Sequence, residues 1–226
     1  MKITYYGHAC FAAEILGKHL LFDPFITQND LAKSVDVKKI KADYILISHA
    51  HDDHMADAAT LAKQTGATVI SNFEIAECLG KKGIKKTHAL NPGGSFPLGF
   101  GRAKLVSAIH SSSFTDGTYG GLAGGFVVES PEGNFYYSGD TALTLDMKLI
   151  SEVTKLKFAA LCIGGNFTMD IDDAIRAAKL LQCQDIMGVH YDTWPPIKID
   201  QAAAKEKFRA AGLHLHLLPI GGTHDF

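Results

Sequence analysis

"ISHAHDDH", residues 47–54, sets three histidines and two aspartates within six positions at the end of an apolar run. That run, "DYILIS" (43–48), is short and continuously apolar, the pattern of a strand buried on both faces. "ADAATLAKQTG" (56–66) then predicts a helix, with Ala58, Leu61 and Ala62 on one face and Gly66 at its end. "ATVISN" (67–72) predicts the next buried strand. Strand, loop, helix and strand in this order make an α/β region. Loops leaving the carboxyl ends of such strands are where sites collect. The ordinary alternative for the polar cluster is a helix cap with surplus polar residues. The spacing His-x-His-x-Asp-His argues against it. In an extended loop His49 and His51 point one way, and Asp53 and His54 are free to turn toward a second ion. Imidazole nitrogen and carboxylate oxygen suit zinc and similar divalent metals.

Working outward, the first third reads as short strands over 2–6, 11–15 and 19–22, with Gly17 at a hairpin turn. The second half gives a hairpin over 124–140, a buried strand over 159–165, an amphipathic helix over 170–182 and a strand over 185–190. A helix near 200–211 and a strand over 214–217 close the chain. "CFAAEILGKHLLFDP" (10–24) and "GFVVESPEGNFYYSGDT" (125–141) share one order: aromatic, apolar pair, Glu, turn Gly, aromatic-rich strand, Asp. Two such halves predict two sheets face to face with helices outside. No linker or low-complexity tract divides the chain, so one domain over 1–226 is expected.

The chain has 226 residues, 46% hydrophobic, enough for a sizeable core. Its formal net charge of -2, with no basic block, argues against a nucleic-acid partner. No stretch approaches a membrane span and the N-terminus lacks a long apolar core, so a cytoplasmic protein without membrane contact is expected. The cysteines at 10, 78, 162 and 183 form no C-x-x-C pair and read as reduced, mostly buried residues.

Two ions need more ligands than one loop supplies. His110 follows the predicted strand "AKLVSAI" (103–109), Asp140 follows "NFYYSG" (134–139), and His190 follows "DIMGV" (185–189). Alone, each has a plain alternative: a loop histidine, a turn aspartate, a hydrogen-bonded core histidine. Together with His49, they put ligand-type residues at four strand ends.

This set resembles the metallo-β-lactamase-fold superfamily, whose signature is His-x-His-x-Asp-His followed by a His, an Asp and a His. The likeness extends over essentially the whole chain. "YYGHACF" (5–11), "FDPF" (22–25), "NPGGSF" (91–96), "HSSSF" (110–114), "SGDTAL" (138–143), "IGGNFTMD" (163–170) and "HYDTWPP" (190–196) resemble, more narrowly, a family of prokaryotic metal-dependent hydrolases. That family is related to the branch containing ascorbate-phosphate lactonase. Its members often carry Asp where this chain has Gly165, and Asn where it has Asp192, which leaves substrate preference open.

The resemblance implies a four-layer αββα sandwich. It implies one ion on His49, His51 and His110, a second on Asp53, His54 and His190, and Asp140 bridging both. Zinc is the first choice of metal, with manganese, iron and nickel also suited to these donors. The expected enzyme is a metal-dependent hydrolase whose bridging hydroxide cleaves a small-molecule ester, lactone or phosphodiester. Asp53 both ligates and orients the nucleophile. The alternatives are a ribonuclease or other nucleic-acid phosphodiesterase, and a non-hydrolytic metal-binding protein on the same fold. The first wants basic surface that this chain lacks, and the second wants missing ligands. A diiron redox role is disfavoured by His51, where such members place Glu. A homo-oligomer is implied by resemblance alone.

Around this set, His8 in Gly-His-Ala is a candidate to contact substrate or a developing oxyanion, or else a structural histidine. Asp23 is placed to orient a ligand histidine or to make a turn before Pro24. Asp52 reads as a loop residue that does not ligate. Ser111, Ser112 and Ser113 are candidates for substrate oxygens, and Trp194 for a pocket wall or a core aromatic. His214 and His216 alternate on a strand and share one face.

Overall fold

The computed structural model describes all residues, Met1–Phe226. Six strands of the first half, β1 (Lys2–Gly7), β2 (Cys10–Ile15), β3 (Lys18–Phe22), β4 (Tyr44–Leu46), β5 (Thr68–Asn72) and β6 (Thr87–Leu90), lie in that order in one sheet. The second sheet takes β7 (Ser95–Pro97), β8 (Arg102–Ser107), β9 (Gly124–Glu129), β10 (Asn134–Tyr137), β11 (Leu156–Cys162), β12 (Asp185–Val189) and β13 (His214–His216). The last strand, β14 (Thr223–Asp225), returns to pair with β1, so each sheet has seven strands. Both sheets are mixed. β1–β2–β3 and β7–β8–β9–β10 are antiparallel, and β3–β4–β5–β6 and β10–β11–β12–β13 are parallel.

The period of two along each strand decides which side chains meet. Leu46 and Ile70 face the opposite sheet, while Ile45, Ile47 and Val69 face outward. Phe135 and Tyr137 point inward, and Tyr136 between them points out. The inner layer is strongly aromatic. Phe11 stacks on Phe22 at 4.5 Å, and Phe22 meets Phe135 edge-on at 5.7 Å across the sandwich. Outside the first sheet lie α1 (Asp52–Met55), α2 (Ala58–Thr65) and α3 (Phe73–Lys81); outside the second lie α4 (Asp146–Val153), α5 (Ile171–Leu180) and α6 (Gln201–Ala210). The small faces of α2 (Ala58, Ala62) and α5 (Ala174, Ala177, Ala178) let these helices sit close to their sheets. This is the expected αββα sandwich. The hairpin echo is also realised, as β2–β3 and β9–β10, and each hairpin ends on an aspartate, Asp23 or Asp140.

Two local expectations change. The stretch before the helix expected over 56–66 is itself helical: "DDHM" forms the turn α1 with His51 at its N-cap, and the expected helix follows as α2. Asp53 and His54 therefore leave a helical turn, not an extended loop, and the turn directs Asp52 into solvent. Second, α3 follows β5 with no loop at all: Asn72 ends the strand and caps the helix, its side chain accepting from the Ile75 amide at 2.9 Å. No helix is long and apolar enough to cross a membrane.

Candidate metal centre

In the first sheet β1, β3 and β4 run the same way, and in the second so do β8, β10 and β12. Their carboxyl ends reach one edge of the sandwich. That edge receives His8, Asp23, His49, His110, Asp140 and His190, one just beyond each strand, and α1 adds Asp53 and His54. The donor atoms of His49, His51 and His110 all lie within 4.8 Å of one another, and so do those of His8, Asp53, His54 and His190. Asp140 lies between the groups. Its Oδ2 is 2.9 Å from His190 Nε2, 3.3 Å from His54 Nε2 and 3.6 Å from His110 Nε2. Gly139 makes that approach feasible: it adopts φ +57°, and a Cβ there would fall 2.5 Å from the Gly124 carbonyl oxygen and 2.8 Å from Ser48 Cβ.

Asp23 sets the ring orientations. It is fully buried and accepts from the Ser48 amide at 2.7 Å, the Ser48 hydroxyl at 2.5 Å, the Tyr137 hydroxyl at 2.5 Å and His54 Nδ1 at 2.7 Å. With Nδ1–H spent on Asp23, His54 turns Nε2, a buried atom with no hydrogen-bond partner, toward Asp140 at 3.3 Å and Asp53 at 3.5 Å, and against the cost of burial these carboxylates lift the ring well above its ordinary value. The Ser48 hydroxyl gives its proton to Asp23, so it accepts from His49 Nδ1 at 2.9 Å. His49 Nε2 is then bare, and it faces His51 Nδ1 at 2.9 Å. One carboxylate thus orients His54 directly and, through Ser48, selects the tautomer of His49, as in carboxylate–histidine–metal relays.

The charges follow the same division. Burial pushes the His49 imidazole well below its ordinary value, and with it His51 and His110, so this trio is neutral. Burial works against charge on Asp53 and Asp140, but His54 and His190 overcome it and hold both carboxyls far below the usual carboxylate range. In return, against the cost of burial, Asp140 with Asp53 lifts His190 to about 9. Three neutral imidazoles, two ionised carboxylates and two further imidazoles that ligate on giving up a proton are the donor set of a divalent cation site. The residues present fit the metal.

A family model described as the β-lactamase superfamily domain matches residues 2–190. The chain belongs to that superfamily. Within it, a UPF0173 metal-dependent hydrolase of Flavobacterium johnsoniae is 53% identical over 221 residues, covering 98% of each chain. One from Christiangramia forsetii is 54% identical over 222 residues, with the same coverage. Among solved structures, Igni18, a metallo hydrolase of the archaeon Ignicoccus hospitalis, is 36% identical and superposes with a TM-score of 0.90, covering 100% of this chain and 98% of its own. This superfamily member is a metal-dependent hydrolase.

The structure brings together all seven residues expected to ligate. His8 lies behind Asp53 and does not line the cleft over the centre. It is 1% exposed, donates Nε2–H to Asp53 Oδ2 at 3.0 Å and accepts the Thr193 hydroxyl at Nδ1, 2.8 Å away. Burial lowers it to about 4, against the pull of Asp53, which keeps it neutral and fixes this donor and acceptor pattern. Asp192 also stays out of the cleft, since its carboxylate accepts from the Ile199 amide and the Gln201 side chain. His214 and His216 do share a face, with both rings on Asp185 Oδ1 at 3.2 and 2.9 Å. Tyr137 and Thr193 were not singled out in the sequence. Tyr137 reads as strand filler in "YYSG", and its partner Asp23 lies 114 residues away.

Proposed function

We propose that this enzyme hydrolyses a small-molecule ester, lactone or phosphodiester at a centre of two divalent ions, zinc being the first choice. His49, His51 and His110 would hold one ion, Asp53, His54 and His190 the other, and Asp140 both. The observation that carries the reading is Asp140 Oδ2, within 3.6 Å of imidazole nitrogens belonging to both histidine groups. When bound, such ions lower the pKa of water toward neutrality and polarise the substrate oxygen.

The chain's own groups supply the rest. Asp53 is the carboxylate open to the cleft, with 23% of its side chain exposed against 3% for Asp140. It is therefore the group that accepts a hydrogen bond from the attacking water and orients it. His8 holds the Asp53 carboxylate in place through Oδ2, and Trp194 and Phe25 pack against the His8 ring at 4.9 and 5.5 Å and shield it. The four cysteines are all free, which supports a cytoplasmic setting. A formal charge of -2 supports a small molecule over a nucleic acid.

Assay of protein reconstituted with zinc, manganese, iron or nickel against lactones, esters and phosphodiesters tests the reading; no turnover with any pairing would end it. Two narrower outcomes are expected. His8→Gln should keep its metal yet lose about 10–100-fold in kcat, the usual cost of freeing a group that orients a ligand. Full kcat in that variant would remove His8 from the mechanism. Metal uptake should release protons. His190 titrates at about 9 and must be neutral to ligate, so apparent affinity should climb as pH rises toward that value and fall below it. Calorimetry in buffers of different ionisation enthalpy reads the protons released, and a buffer-independent heat would contradict this.

A further inference from the structure

The cleft over the centre has a volume of about 510 Å³. Beyond the residues assigned to the ions, its walls are Phe25, Gln28, Asp52, Ser111, Phe167 and Trp194. No lysine or arginine is among them. Asp52 is the one charged wall residue, exposed at the rim with no ion-pair partner. A substrate whose far end carries a carboxylate or phosphate would meet no counter-charge there and would face Asp52. Sites that recognise such anions use arginine, lysine or clustered backbone amides.

The aromatic residues point the same way. Phe167 is 56% exposed and Trp194 39%, although side chains of this size are ordinarily well buried. Phe167 is held out by a tight turn: Gly165 and Asn166 both take positive φ, +69° and +54°, and the Phe167 amide donates to the Gly165 carbonyl at 2.6 Å. Left-handed backbone at a non-glycine residue is uncommon and costs free energy. The glycine at 165 therefore serves this turn. Trp194 is backed by Phe25 at 5.9 Å and by the His8 ring, so its face is fixed. Two flat apolar surfaces stand at the mouth of the centre with only neutral or acidic neighbours.

We propose that the cleft selects an ester or lactone whose group beyond the scissile bond is uncharged and presents an aromatic or flat apolar face to Phe167 and Trp194. The inference rests on the hydrolase reading above and narrows it by the charge and shape of the group beyond the scissile bond. Water adds across the acyl–oxygen bond and an acid and an alcohol leave, so no further reactant is required.

The test uses a matched pair with the same scissile bond, methyl phenylacetate and its 4-carboxy derivative, on the zinc-loaded full chain. The neutral ester should be favoured about tenfold or more in kcat/KM, the size expected of one uncompensated like charge at a partly exposed site. Phe167→Ala should raise KM for the neutral ester several-fold with kcat little changed, and Asp52→Lys should narrow the preference to within about threefold. Because Trp194 is the only tryptophan, its fluorescence reports occupancy without turnover. Phenylacetamide should quench it at concentrations where 4-carboxyphenylacetamide does not. Equal quenching, or a preference for the charged member, overturns the proposal whatever the activity. Quenching by the neutral amide alone, with neither ester hydrolysed, keeps the selectivity and sinks the ester reading instead.

Discussion

Asp140→Ala should lower bound metal from two equivalents per chain to one or fewer and cut hydrolysis by about 10³-fold. The loss should exceed the roughly 10–100-fold typical of residues that only orient a ligand. Asp140 faces both groups of histidines, at 2.9 Å to His190, 3.3 Å to His54 and 3.6 Å to His110. Alanine takes away the shared negative charge and leaves His54 and His190 facing each other with Asp53 as the remaining carboxylate. The variant should still fold, because Asp140 lies beyond the end of β10 and anchors no core side chain. Metal analysis beside circular dichroism separates the two effects. A folded Asp140→Ala protein with full metal content and full activity would refute the bridging role.

Asp23→Ala should be the more damaging change to the fold. Four donors converge on this buried carboxylate, from the Ser48 amide, the Ser48 and Tyr137 hydroxyls and His54 Nδ1. Alanine leaves all four without a partner in the interior. Removing one member of a buried charged network costs about 3–5 kcal/mol, a large share of the roughly 5–15 kcal/mol that keeps a domain folded. At about 2–4 °C per kcal/mol for a chain of this size, thermal melting should fall by roughly 10–15 °C. Tyr137→Phe deletes a single donor and should cost only about 1 kcal/mol. Because Asp23 also orients His54 and, through Ser48, selects the tautomer of His49, the variant that survives should bind metal more weakly. An Asp23→Ala protein melting within a degree or two of the parent would show that the network contributes little.

The ligand residues were legible because each is polar in the first positions after a buried strand, where the surrounding pattern is apolar. His49, His110, Asp140 and His190 all stand out in this way, and the echo between 10–24 and 125–141 pointed to two hairpins. What stayed hidden depended on contacts across long separations. His8 belongs to Asp53, 45 residues on, and a lone Gly-His-Ala gives no hint of it. The role of Asp23 was half visible, as a histidine-orienting acid, but its link through Ser48 to His49 requires the folded distances. α4 escaped notice because Leu149 and Val153 are exposed, at 59% and 79%, so its sequence lacks a clean polar face. Phe167 reads as an ordinary apolar residue until its turn is seen to hold it in solvent.

The central claim is that two separate groups of donors, joined by Asp140, make one dinuclear centre. Metal analysis of fully reconstituted, desalted protein tests it most directly. The account predicts two divalent ions per chain. One ion at most, under conditions of full activity, would contradict it.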